Sequence, residues 1–153
     1  MKREENELLR RLLGDRRLLA LGVEVGERPY VGQVPYAFWA ERGSLLIHVS
    51  ALARHTKGLR EGASVSVLIS AGEEGGDPFQ VPRVTLEVSA RRLESPGEGH
   101  EEARRVYLDK LPSGGRHFQL GDFSLYELVI TGGRFVAGFG RTYNLTAESL
   151  SSL

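Results

Sequence analysis

Residues 50–57 concentrate the side chains of this chain that are best suited to bind an anion. Alternating apolar residues predict a strand that ends at Ser50, followed by a short helix over residues 51–60 with Ser50 as its N-cap. A helix N-terminus has unpaired backbone N–H groups, which nearby cations and hydroxyls complement. The segment therefore predicts a phosphate site of a cofactor, formed by Ser50, Arg54, His55, Thr56 and Lys57. The alternative is an ordinary capped helix with a solvated polar face.

The elements around this segment are mostly strands joined as hairpins. Periodicity predicts helices over residues 6–13 and 101–111, and strands over 17–25, 30–40, 45–50, 65–70, 84–91, 123–131 and 134–139. Pro35 inside a predicted strand implies an edge, a bulge or a bend, and Gly132-Gly133 is typical of a hairpin turn. The absence of βαβ alternation favours a mainly β protein, an antiparallel barrel with peripheral helices. We expect one domain over residues 1–153, with an N-terminal helix in 1–14 and a short tail at 146–153.

Composition excludes several classes of function. The 20 basic and 20 acidic residues balance and are interleaved, which argues against binding to duplex nucleic acid or an anionic membrane. There is no cysteine, so disulfides, zinc–thiolate sites and thiol nucleophiles are excluded. The first residues lack the apolar core of a signal peptide, and no apolar run reaches the ~20 residues of a membrane span. A soluble, cytoplasmic protein is expected.

Three blocks of sequence together resemble the FMN-binding split-barrel superfamily of pyridoxamine 5'-phosphate oxidase-like proteins, and within it the haem-utilisation-related group. The blocks are PYVGQVPY at 29–36, LIHVSALARHT at 46–56, and DFSLY at 122–126 with GFGR at 138–141. The resemblance implies a six-stranded antiparallel split barrel of Greek-key type. It also implies a homodimer with FMN bound in the groove between the subunits.

The same resemblance assigns roles to individual residues. Gln33, Val34 and Pro35 would run along the isoalloxazine edge, and residues 50–57 would hold the FMN phosphate. Arg141 could reach across the dimer towards the flavin or a substrate anion; the alternative is an exposed arginine at a bend. The function implied is that of an FMN-dependent oxidoreductase of unknown substrate, in which the flavin supplies the redox chemistry. No catalytic side chain is identified.

Two departures from the family pattern limit that function. Basic residues that pyridoxamine-phosphate oxidases carry near Gly32 and Ala37 are missing, which argues against pyridoxal-phosphate synthesis. The chain stops soon after Leu145, whereas larger haem-degrading relatives add a C-terminal domain, so haem oxygenase activity is not expected. A haem- or tetrapyrrole-binding protein and a non-catalytic flavin carrier remain as alternatives.

Three of the four histidines can be assigned to predicted strands or loops. His48 shares a strand face with Ser50 and is expected to be a hydrogen-bonded packing residue. His100 and His117 fall in predicted loops, where a haem ligand is conceivable. No second ligand stands at a suitable spacing from His48, so no metal site is expected.

Overall fold

One antiparallel sheet of eight strands organises the protein in a computed structural model that describes residues 1–153. The strands follow the order β2-β1-β5-β6-β7-β4-β3, and β8 pairs with β7. Their bounds are β1 Leu18–Val25, β2 Arg28–Pro35, β3 Ala37–Trp39, β4 Ser44–Ser50, β5 Val65–Ser70, β6 Arg83–Leu93, β7 Phe123–Gly138 and β8 Arg141–Thr146. The helices are α1 Arg3–Asp15, α2 His100–Lys110 and α3 Ala147–Ser151, with 3₁₀ helices at Arg54–Gly58, Pro78–Gln80 and Pro112–Gln119. None of these helices has the length and apolar character that crossing a membrane requires.

The barrel closes at Tyr36, the single residue between β2 and β3. Strand β2 pairs with β1 at one end of the sheet, whereas β3 pairs with β4 at the other end. The Tyr36 N–H donates to the Arg17 carbonyl at 3.0 Å, and its hydroxyl donates to the Leu13 carbonyl at 2.7 Å. The predicted strand over residues 30–40 is therefore two strands joined by the bend that Pro35 indicated. Counting β2 and β3 separately, and counting β8, gives eight strands where six were expected.

The prediction of a hairpin turn at Gly132-Gly133 is wrong. Strand β7 runs through both glycines as one element of 16 residues, and the turn to β8 lies at Phe139-Gly140, where Gly140 has φ +76°. A Cβ on Gly133 would lie 2.5 Å from the Thr85 carbonyl oxygen, so glycine here permits close contact with β6. The pairing register between β6 and β7 also shifts beside these glycines.

Strand β4 is buried on both of its faces. Leu45, Ile47 and Val49 point into the barrel core, which the leucines of α1 also join. The opposite face carries Leu46, which belongs to a second cluster with Trp39, Tyr107 and other residues under α2. Alternation alone would assign the Leu46 face of β4 to solvent. In the structure α2 and the segment after it cover this face.

A histidine-lined cavity as the candidate functional site

A cavity of about 350 Å³ lies outside the barrel, between β4, the end of β2 and the Pro112–Gln119 segment. Five of the residues predicted from the sequence line it: Gln33, Val34, Pro35, Ser50 and His55. The other lining residues are His48, Val49, Ala53, Tyr107, Leu111, Ser113, Gly114, His117 and Phe123. Three of the four histidines of the chain therefore face one space, together with apolar and aromatic side chains.

His48 is the most enclosed of these histidines, with 8% of its surface exposed. Its ring stacks on Phe118 at a centroid distance of 3.7 Å and an interplanar angle of 9°, and the Phe123 ring lies at 5.3 Å. Its Nδ1 is buried and has no hydrogen-bond partner. Burial lowers the pKa of His48 to about 4, and the nearby charges of His117, His100 and Arg104 act in the same direction. The imidazole is therefore neutral at pH 7 and keeps a free lone pair.

His55 repeats this pattern from the other side of the cavity. Its Nε2 is also buried without a partner, and burial lowers its pKa. His117 stacks on Phe123 with ring centroids 5.0 Å apart. Tyr107, whose pKa burial raises, closes the cavity from α2. The histidine and carboxylate side chains form no group of three that could hold a metal ion by themselves.

The predicted helix over residues 51–60 is wrong, and with it the helix N-terminus expected at Ser50. The chain forms only the 3₁₀ helix Arg54–Gly58, which follows Ala53 and has no side-chain cap. A Cβ on Gly58 would lie 2.5 Å from the Val23 Cβ, so this segment is pressed tightly against β1. The Ser50 hydroxyl does accept from the Leu52 N–H at 3.0 Å, the bond that an N-cap makes, but no α-helix follows it.

The hydroxyls and cations predicted to hold a phosphate are largely engaged within the chain. Ser50 donates to an Asp122 carboxylate oxygen at 2.6 Å, and Thr56 donates to the Ser50 carbonyl at 2.7 Å. The Arg54 guanidinium lies 5.4 Å from the centroid of the Tyr30 ring. Lys57 is exposed and does not line the cavity. An aspartate beside Ser50 disfavours a second anion at this point.

Arg141 lies outside the cavity. Its guanidinium pairs with Glu5 of α1 at 3.3 Å, and Tyr143 donates to the same carboxylate oxygen at 3.0 Å. Glu5 is buried although it belongs to an exposed helix start. Within the chain, Arg141 therefore fastens α1 to the β7–β8 turn.

Sequence reasoning missed several residues of the cavity. The expectation that His48 is hydrogen-bonded is wrong, although its packing role is observed. The alternation of side chains along the predicted strand does place His48 on the same face as Ser50, and this is the one sequence feature that relates His48 to the cavity. The sequence identifies His117 only as a loop histidine and Tyr107 only as a helix residue, because the packing of α2 and of the Pro112–Gln119 segment that brings both to the cavity leaves no local pattern.

Known proteins resemble the chain over nearly its full length. Haem oxygenase HutZ of Vibrio cholerae is 27% identical over an alignment of 146 positions, which covers 89% of this chain and 78% of that protein. The structure of a haem-binding protein from Mycobacterium smegmatis matches with a TM-score of 0.87 and 27% identity over 99% of this chain. No family model matches the chain.

A third match concerns the fold. A protein of the pyridoxinephosphate oxidase family from Clostridium acetobutylicum, related to general stress protein 26, matches with a TM-score of 0.69 over 98% of this chain and 99% of its own. The chain therefore has the split-barrel fold that this pyridoxinephosphate oxidase family protein shows. At 8% identity the Clostridium structure speaks for the fold alone. The split barrel spans 62% of the length of the Mycobacterium protein.

Proposed function

We propose that this split barrel binds haem, or a closely related iron tetrapyrrole, in the histidine-lined cavity. The observation that carries the proposal is the pair of buried imidazole nitrogens without partners, His48 Nδ1 and His55 Nε2, in the rings that line one cavity. Buried polar atoms are nearly always hydrogen-bonded, so two unpaired imidazole nitrogens in rings that line one cavity support a ligand for those rings. The two relatives named for haem support the same choice.

The residues around these imidazoles fit an iron tetrapyrrole chemically. A neutral imidazole is a good iron ligand, and both histidines have pKa values lowered by burial. Phe123 and Tyr107 offer apolar surface to the macrocycle, while Phe118 holds the His48 ring in place by stacking. His48 would hold the iron, since the orientation of its ring is the most constrained. A bound haem would supply redox and dioxygen chemistry, and the residues of the cavity would bind and orient it.

A flavin-dependent oxidoreductase, or a carrier that binds FMN without turnover, is the second candidate. One observation favours it, because Gln33, Val34 and Pro35 line the same cavity where the family resemblance expects the isoalloxazine edge. The engaged hydroxyls of Ser50 and Thr56 count against the phosphate site that FMN would need nearby. Haem is therefore the better-supported occupant.

Absorbance titration of the full chain with haemin, and separately with FMN, tests this proposal. We expect saturable binding of haemin with a shifted Soret band. His48→Ala should shift that band and weaken haemin binding at least about tenfold. Mutating a residue that only hydrogen-bonds a metal ligand already lowers metal affinity about tenfold, and losing the ligand itself should lower it by no less. His100→Ala is the matched control, because His100 lies near Phe118 but outside the cavity.

Two results would overturn the proposal. One is saturable FMN binding with no haemin binding, which would restore the flavin function. The other is a haemin spectrum that none of His48→Ala, His55→Ala and His117→Ala alters, which would place haemin elsewhere on the protein. Circular dichroism of each variant separates loss of ligand from loss of fold.

We also propose that the protein is a homodimer, as the family resemblance implies. Large apolar side chains are left exposed on several elements, with 66% of Val31, 84% of Leu52, 67% of Phe79 and 72% of Phe139 accessible. Scattered apolar residues are normal on a monomer, but side chains this exposed are typical of interfaces. Sedimentation of the wild type and of Leu52→Glu or Phe139→Glu variants tests the assembly. A cytoplasmic location remains a prediction from the sequence.

A further inference from the structure

A second cavity, of about 400 Å³, adjoins the histidine-lined one. The two share Pro35 and Leu111 in their walls. The chemistry changes across this shared wall, because the second cavity is lined by Arg16 and Arg17, with Asp15 and Leu18. A mostly apolar cavity with imidazoles thus opens beside one with two guanidinium groups.

The backbone fixes the position of these arginines. Leu18 pairs with Pro35 in the β1–β2 register, and the Arg17 carbonyl accepts the Tyr36 N–H that closes the barrel. The path from α1 into β1 is therefore tied to the strand whose end lines the histidine cavity.

The side chains that line the second cavity carry more positive than negative charge, which favours the binding of an anion. Neither Arg16 nor Arg17 has a carboxylate within 4.0 Å, and Asp15 forms no ion pair. Lys110 lies in the same region, where its ammonium donates to the Gly14 carbonyl at 2.6 Å and to the Arg16 carbonyl. The lysine thereby neutralises the negative C-terminal end of α1, which would otherwise repel an anion. Two guanidinium groups and one carboxylate thus line the second cavity.

We propose that Arg16 and Arg17 hold the anionic substituents of the ligand whose ring lies in the histidine cavity. The proposal rests on the proposed function for the ring itself. Both propionates of a haem leave one edge of the macrocycle, and guanidinium groups bind carboxylates and phosphates through paired hydrogen bonds. The site would take the propionates of a tetrapyrrole or the phosphate of FMN, and it replaces residues 50–57 as the place for the anion.

Neutral ligand analogues test this assignment. Wild type, Arg16→Gln/Arg17→Gln and the control Arg3→Gln/Arg11→Gln are titrated with haemin and with haemin dimethyl ester, whose propionates are uncharged. The control removes two exposed charges from α1 at a distance from both cavities. We expect the Arg16/Arg17 variant to bind haemin about ten- to hundredfold more weakly, as for loss of charge-assisted hydrogen bonds, and to bind the ester as the wild type does. FMN against riboflavin gives the same comparison for a flavin.

The outcomes separate this proposal from the proposed function. Haemin that binds the Arg16/Arg17 variant with wild-type affinity overturns the anion site and leaves the haem function standing. An equal loss for haemin and its ester also overturns it, since the arginines would then act through the fold. If neither haemin, its ester nor FMN binds the wild type, the proposed function fails first and the anion site with it.

Discussion

Ser44 and His48 lie on the same face of β4, both are buried, and their polar atoms meet opposite surroundings. Ser44 donates at 2.7 Å to Glu127, a carboxylate with 1% of its surface exposed. Arg42 donates to both oxygens of Glu127, at 2.8 and 3.1 Å, and Arg91 donates at 2.7 Å. His48, four residues along the strand, has a buried Nδ1 with no partner. The chain completes the Glu127 cluster by itself and leaves the histidine cavity incomplete.

This difference distinguishes a structural polar cluster from a binding site. Burying a polar group without a hydrogen bond destabilises the folded state, so buried polar groups in proteins are normally hydrogen-bonded. Burial acts to raise the pKa of Glu127, but hydrogen bonds from Arg42, Ser44 and Arg91 outweigh it and the pKa is lowered. For His48 no such bond opposes burial. We therefore expect a ligand of the cavity to contact the His48 ring and not the Glu127 cluster.

The largest effect on the free energy of unfolding is expected from removing the carboxylate at the centre of the Glu127 cluster. Glu127→Ala should lower the free energy of unfolding by about 3 kcal/mol, towards the lower end for a broken buried ion pair because both arginines are half exposed. Urea denaturation at pH 7 measures it. Glu127→Gln is the control, since it keeps the volume and part of the hydrogen bonding. A loss below about 1 kcal/mol for Glu127→Ala would mean that the cluster is a surface feature.

Acid should act on the two regions in different pH windows. The folded-state pKa of His48, about 4, lies below the 6.5 of an unperturbed histidine, so only the unfolded chain takes up the proton between these values. Stability contributed by the neutral imidazole is present above pH 6.5, and about 2 kcal/mol of it is lost between pH 7 and pH 5. Glu127, with its lowered pKa, loses its contribution only as the pH falls below about 4.5.

Unfolding free energies at pH 7, 6 and 5 for the wild type and His48→Phe check the first window. The variant should lose the part of the slope that His48 causes, while His100→Gln should retain it. Parallel slopes in wild type and His48→Phe would contradict the buried, neutral state of His48.

The sequence predicts which residues share this face of β4 but not what covers them. Alternation along β4 places Ser44, His48 and Ser50 on one face, and Pro35 marks the bend that closes the barrel. What covers that face depends on α2 and the Pro112–Gln119 segment, which approach β4 from more than fifty residues away in the sequence. Local patterns carry no information on that contact.

Two wrong predictions share a physical cause. Gly132-Gly133 resembles a turn, yet its glycines serve close contact with Thr85 on another strand. Residues 51–60 resemble a capped helix, yet the Ser50 hydroxyl donates to Asp122, 72 positions away. In both cases a long-range contact overrides a local propensity. The phosphate site predicted at residues 50–57 rests on the local density of cations, whereas Arg16 and Arg17 line their cavity because of the barrel closure, which no local pattern indicates.

A matched pair of substitutions on β4 sharpens the comparison at pH 7. His48→Phe should raise the free energy of unfolding of the ligand-free protein by about 1 kcal/mol, because it removes an unpaired buried polar atom and keeps the ring stacking. Ser44→Ala should lower it by about 1 kcal/mol, because it removes a satisfied hydrogen bond to a carboxylate. Opposite signs at two positions of one strand face are the signature expected. Destabilisation by both would indicate that His48 has a structural partner.

The smallest effect is expected at the edge of the completed cluster. Arg91→Gln alone should cost about 0.5 kcal/mol, since the side chain is half exposed and Arg42 still pairs with the carboxylate. Arg42→Gln/Arg91→Gln should cost more than the two single changes together, because Glu127 would then be buried with Ser44 as its remaining partner. Urea denaturation of the four proteins gives this coupling energy directly. Additive losses would mean that water reaches the carboxylate, and the cluster would then be no more complete than the cavity that His48 faces.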